Sequence, residues 1–255
     1  MTNRNATAAN LPSMSFLEHL DELRKRLLLS LLAVGVTFTL ALLYARKILE
    51  FFLRPIVILL GDARPVFIDI TEPFLLYMKV AFLAAVFVSA PFVLYQVWAF
   101  VAPGLYPRER RYALPFIFFS TVFFVAGGAF GYYIGFPTAS RFLLQVGEGF
   151  QPSLRVSNLF SFESKIILGL GVVFELPTVI YFLARLGLVT PGFLWRNLKY
   201  AILMIFIIAA VITPTPDVVT QCIFALPMLL LYLLGILVAH VFGRERDVPA
   251  GPDGA

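Results

Sequence analysis

Long apolar runs fill most of the chain, and the polar positions fall between them in short clusters. After Ser15-Phe-Leu-Glu18, a capping-box pattern that starts a helix, Phe16, Leu20, Leu23 and Leu27 recur at helical spacing. Glu18, Asp21, Glu22 and Lys25 occupy the other faces. This predicts an amphipathic segment lying along a membrane surface and running into a first span at about 27–44. Further spans are predicted at about 73–100, 112–136, 161–184, 198–212 and 218–240. Between the first two, Ala45–Leu60 mixes charged and apolar residues and reads as a short interfacial helix.

Local signals refine these spans. Pro73 suits a first helical turn, and Pro91 is expected to kink the second span. Gly127, Gly131 and Gly135 form a small-residue stripe in the third, a packing device in lipid. A polar connection is expected from Thr138 to Phe160. In the fourth, Pro177 leaves the Val173 carbonyl without its helical donor. The uncharged run of the fifth, Tyr200–Ile212, covers about 20 Å of helix against about 30 Å of hydrocarbon. Thr213-Pro-Thr-Pro-Asp217 then breaks the chain, and Pro227 lies inside the sixth span. Residues 1–13 and 243–255 are polar and expected to be disordered, leaving 14–242 as a single six-helix domain.

Of the 255 residues 60% are hydrophobic, which places the chain with all-α polytopic membrane proteins. One cysteine excludes an internal disulfide, and two histidines argue against a metal site. The apolar run after Arg24-Lys25-Arg26 exceeds the 7–15 residues of a cleaved signal, so it reads as a span. The net charge of +5 does not point to nucleic acid, because the basic residues sit at membrane edges. With six spans, 12 Lys and Arg fall on the side of the termini and 6 on the other. That bias predicts both termini in the cytoplasm.

Three acids need more than topology. Glu22 and Glu109 both fall at the predicted cytoplasmic surface. Each fits a local salt bridge, with Arg26 or with Arg108, Arg110 and Arg111. Together they also make a carboxylate pair suited to a guanidinium guest. Glu175 lies 14 residues into the fourth span, where a charge costs at least about 2.5–3.5 kcal/mol and defaults to a functional reading. Glu163 and Lys165 are expected to snorkel at the outer end of that span. Gln96 and Gln221 are polar positions within spans.

Several motifs, in order, carry a resemblance. His19-Leu-Asp-Glu-Leu-Arg-Lys-Arg-Leu27, Ser89-Ala-Pro-Phe-Val-Leu-Tyr-Gln-Val-Trp-Ala-Phe-Val-Ala-Pro-Gly-Leu-Tyr106, Glu109-Arg-Arg111, Phe174-Glu-Leu-Pro177 and Thr215-Pro-Asp-Val-Val-Thr-Gln221 resemble the TatC family. That family is the core receptor subunit of the twin-arginine, Sec-independent protein translocase. The resemblance implies a glove-shaped, concave bundle of six transmembrane helices in the inner membrane of a bacterium. It implies binding of Arg-Arg signal peptides of folded precursors through Glu22, Glu109, Arg24 and Phe100. Glu175 and Gln96 would line an intramembrane cavity. Asp217 and Gln221 would form the hairpin engaged by the single-span subunits TatA and TatB, and Pro55 matches a proline of the first external loop. It further implies homo-oligomers within the complex, transport driven by the proton-motive force, and no cofactor. Thr213-Pro-Thr-Pro carries one residue more than the Thr-Pro-Pro-Asp of some relatives.

Two other readings compete. A proton-coupled secondary transporter would use Glu175 as its relay, but no internal repeat is found. An intramembrane enzyme lacks a recognisable motif, and no GxxxxGK[ST] loop for a nucleotide is present.

Overall fold

A computed structural model describes residues 16–60, 66–101, 113–149, 154–213 and 217–243. Glu109, Thr215 and both termini lie outside these residues. The described chain is helical, apart from a single β-bridge between Val66 and Arg155. The elements are α1 (Phe16–Leu43), α2 (Ala45–Leu60), α3 (Glu72–Val101), α4 (Ala113–Phe130), a π-turn (Gly131–Gly135) and α5 (Phe136–Val146). Then come α6 (Val156–Val173), α7 (Leu176–Arg185), α8 (Pro191–Arg196), α9 (Leu198–Ile212) and α10 (Val218–Phe242). Five stretches are long and apolar enough to cross a bilayer: α1, α3, α4 through α5, α6 through α7, and α10. The 15-residue α9, fifth in chain order, is the short pass that completes six, about 22 Å long. An even number of passes returns the chain to its starting side, called here the N-terminal side. The opposite side is the far side.

The second helix follows its sequence pattern. Ala45, Leu49, Phe52 and Ile56 are buried at intervals of four, three and four, while Arg46 pairs with Glu50 on the exposed face. Pro55 sits inside this helix and has no N–H to give the carbonyl of Phe51. The Tyr132 hydroxyl, carried by the π-turn, donates to that Phe51 oxygen at 2.7 Å. A side chain of the third pass thus fills the bond that proline removes from α2.

The third pass extends beyond its predicted end. Thr138 to Val146 is helix rather than the start of a polar connection, with Phe136, Ala139 and Ser140 as its buried positions. Ahead of it, the Phe136 N–H reaches back to the Gly131 carbonyl, which gives the π geometry. The glycine stripe faces α6. A Cβ at Gly127 would stand 2.5 Å from the Leu170 carbonyl, and one at Gly131 would stand 3.0 Å from Ile167 Cα. The main core beside it joins Phe136, Ile166, Leu170, Ile205, Ala209, Phe224 and Met228.

The fourth pass breaks at Phe174-Glu175, as Pro177 predicts, and resumes as α7. α3 continues as helix through Pro91, and α10 through Pro227. On the far side, Glu72 is buried at the start of α3, where it accepts from the Ile68 N–H, the Ser157 N–H and Arg155 Nε. It therefore caps the first turn of α6, which has no side-chain cap of its own. Arg155 also binds Asp69 at 2.5 Å, and this bond holds its proton more firmly than usual.

Two expected outcomes follow from this packing. Tyr132→Phe orphans the Phe51 carbonyl and costs about 1–3 kcal/mol, read as a lower melting temperature in detergent. The loss shrinks in a Pro55→Ala background, where the helix regains its own donor. Gly127→Ala, forced against backbone, costs about 1–3 kcal/mol. Gly35→Ala, with nothing within 4 Å of the new Cβ, is neutral or stabilising.

Candidate functional site

Along their length α1 and α3 run antiparallel and are tied at three levels, the last two toward the N-terminal side. Thr37 Oγ1 donates to the Ala85 carbonyl at 3.3 Å. Arg26 Nη1 donates to Gln96 Oε1 at 2.9 Å. The His19 ring stacks on Phe100 with 4.4 Å between centroids. Helical spacing produces this register, because His19, Glu22 and Arg26 share one face of α1 while Gln96 and Phe100 share one face of α3.

Glu22 lies between the two lower ties. Its Oε1 accepts from both Nε and Nη2 of Arg26, each at 2.7 Å, and its side chain keeps 23% of its exposure. Arg24 is exposed on a neighbouring face. The sequence grouped Gln96 with Glu175, whereas the hydrogen bond of its side chain goes to Arg26. Glu109, the expected partner of Glu22, lies outside the described residues.

Glu175 occupies the break between α6 and α7, and Ser120 of α4 donates to its Oε2 at 2.5 Å. Its other oxygen is buried without a hydrogen-bond partner among the described residues. The Thr178 hydroxyl of α7 also lies by this carboxyl, which stands at the break in the pass with Oε1 able to accept a further donor. Ser120, fully buried, carried no signal of this role in sequence.

At the far-side hairpin Asp217 caps α10 by accepting from the Thr220 N–H at 2.7 Å. Gln221 Nε2 donates to the Phe206 carbonyl at 2.7 Å, fastening α10 to α9. Both residues thus support the hairpin that follows the short pass.

Glu163 does not snorkel. It is 0% exposed and neither carboxyl oxygen has a partner among the described residues, whereas Lys165 is exposed as expected. The reason is that α6 begins at Val156, earlier than the predicted span. Glu163 therefore lies about 10 Å inside the helix.

Comparison with known proteins settles the family. A family model described as "Sec-independent protein translocase protein (TatC)" matches residues 18–227. The chain belongs to the TatC family. The TatC protein of Koribacter versatilis is 49% identical over 91% of this chain and 87% of its own length. TatC from Helicobacter pylori strain J99 is 42% identical, covering 88% of each chain. Among solved structures, one titled as the twin arginine translocase receptor TatC matches at a TM-score of 0.77. It is 36% identical, with 87% of this chain and 98% of that one covered. A second, of the same receptor in DDM, gives a TM-score of 0.80 at 35% identity. This TatC-family chain is thus a multi-pass membrane subunit of a Sec-independent protein translocase, and its role is transport.

A buried acid without partners is a cost that packing must offset. Glu163→Met keeps the volume and removes the carboxyl. It is expected to stabilise the protein by about 1–3 kcal/mol, seen as a higher melting temperature; a lower one would reveal a bonded role for this acid.

Proposed function

We propose that this TatC-family chain is the signal receptor of its translocase. It captures adjacent arginines on the signal segments of folded precursors at its N-terminal side, which is the cytoplasmic side in a bacterial inner membrane. Glu22 and Glu109 receive the two guanidinium groups, and Arg24 and Phe100 frame the site. The observation that carries this reading is Glu22 itself. It is a partly exposed carboxylate on a helix locked to α3 by the Arg26–Gln96 bond and the His19–Phe100 stack.

Three further points support it. The matched solved structures are titled as the twin arginine translocase receptor. Charge-assisted, forked pairing suits carboxylates to paired arginines better than to paired lysines. The excess of Lys and Arg on the side of the termini favours the cytoplasm for that side.

After capture, the apolar part of the signal enters along the pass that carries Glu175. TatA and TatB assemble at the α9–α10 hairpin around Asp217 and Gln221. Copies of the chain associate within the complex, and the proton-motive force drives transport of the folded cargo.

Glu109→Lys and Glu22→Lys are each expected to weaken binding of a fluorescent Arg-Arg signal peptide by about 10–100-fold. Melting temperature should stay within a few degrees of the parent. Binding to the parent should also fall as salt rises. Unchanged crosslinking of the peptide to both variants would remove the two acids from the receptor site.

A further inference from the structure

The proposed ligand is a guanidinium, and Glu22 already holds one from its own chain. Two nitrogens of Arg26 converge on Glu22 Oε1, each at 2.7 Å. The third, Nη1, donates at 2.9 Å to Gln96 Oε1 on the neighbouring helix. Gln96 is 3% exposed, so packing within α3 fixes the position of its amide. The Arg26 side chain keeps 26% of its exposure and Glu22 keeps 23%, so the pair is exposed on one side while being anchored on the other. An isolated pair spaced by four on a helix would need no third partner. Here the buried amide of a second helix holds the arginine at the carboxylate.

We infer that Arg26 is an internal competitor for Glu22, a tethered copy of the ligand that sets how strongly an incoming arginine must bind. This rests on the reading of Glu22 as a receptor carboxylate. Without ligand, Arg26 neutralises Glu22 and spares it an unpaired state at the helix surface. An arriving arginine fork takes the carboxylate by drawing it from Arg26, and Gln96 retains the displaced guanidinium. Two like charges drawn to one acid repel each other, so Arg26 opposes ligand capture rather than aiding it. The penalty is equal for every cation. It therefore suppresses weakly held segments without re-ranking ligands, and a segment that also engages a second acid overcomes it.

The size of the effect follows from the exposure of the pair. Partly exposed ion pairs of this kind correspond to about 1.5–5-fold in an equilibrium constant. The test uses the purified full chain in lipid nanodiscs, with a fluorescent peptide bearing adjacent arginines titrated by anisotropy. Arg26→Gln should tighten binding by about 2–5-fold. Arg26→Lys keeps a charge but loses the fork, and should tighten it less. Combined with Glu22→Gln, the gain from Arg26→Gln should vanish. If Glu22→Gln weakens binding while Arg26→Gln leaves it unchanged or weaker, Arg26 is not a competitor and the inference falls alone. If Glu22→Gln leaves peptide binding unchanged, the receptor reading of Glu22 fails first and the inference falls with it. Melting curves of each variant separate loss of fold from loss of binding.

Discussion

A backbone polar group in hydrocarbon must find a partner within the protein, and this requirement organises the bundle more than any single apolar contact. The chain carries proline inside or beside several of its helices, and each one deletes a donor. Where Pro55 deletes one, Tyr132 of another pass supplies it through the Phe51 carbonyl. The repair also ties the interfacial helix to the π-turn that carries Tyr132. Phe51 and Tyr132 stack with 4.7 Å between their rings, so the polar bond and the aromatic contact hold the same junction. Gln221 adds a similar tie at the hairpin, a side-chain amide on the Phe206 carbonyl of the short pass.

Patterns of short range were legible in the sequence. The interfacial helix has the predicted bounds, Ala45–Leu60, because its apolar spacing and flanking charges are local facts. The break at Glu175 follows from Pro177 two residues on, and the glycine stripe meets α6 as small residues in lipid should. Pairings across the fold were not legible. Glu72 and Arg155 are 83 residues apart, and nothing local marks either as the other's partner. The polar residues Thr138, Ser140 and Arg141 suggested a loop, yet α5 continues through them because one of its faces is still buried. Glu163 looked like a terminal charge only because the start of α6 was placed too late.

The site divides along the same line. Glu22 with Arg26, four residues on, is visible in sequence, whereas the capping of α10 by Asp217 comes from the structure. The bond from Arg26 to Gln96 spans 70 residues and depends on the register of two antiparallel helices. The Ser120 bond to Glu175 spans 55 and depends on the packing of α4 against the broken pass. In each case the acid was identifiable, because a carboxylate near lipid is unusual. Ser120 was not, because serine is ordinary in helices, and Gln96 was singled out without its partner Arg26.

The acids of the two membrane faces are held very differently, and the difference bears on the proposed receptor site. On the far side, Glu72 is nearly enclosed and shared among two backbone N–H groups of separate elements and the Arg155 guanidinium, with Asp69 engaging the same arginine. Releasing Glu72 would uncap α6 and take from Arg155 one of its two carboxylate partners, so it is unsuited to exchange with a visiting cation. On the N-terminal side, Glu22 meets one arginine of its own helix and stays partly exposed. Exchange there substitutes one guanidinium for another and leaves the backbone intact. The proposed receptor role asks for such a cheaply exchanged contact on a rigid base. The α1–α3 pair offers both, while the far-side network ties the segment ahead of α3 to the start of α6.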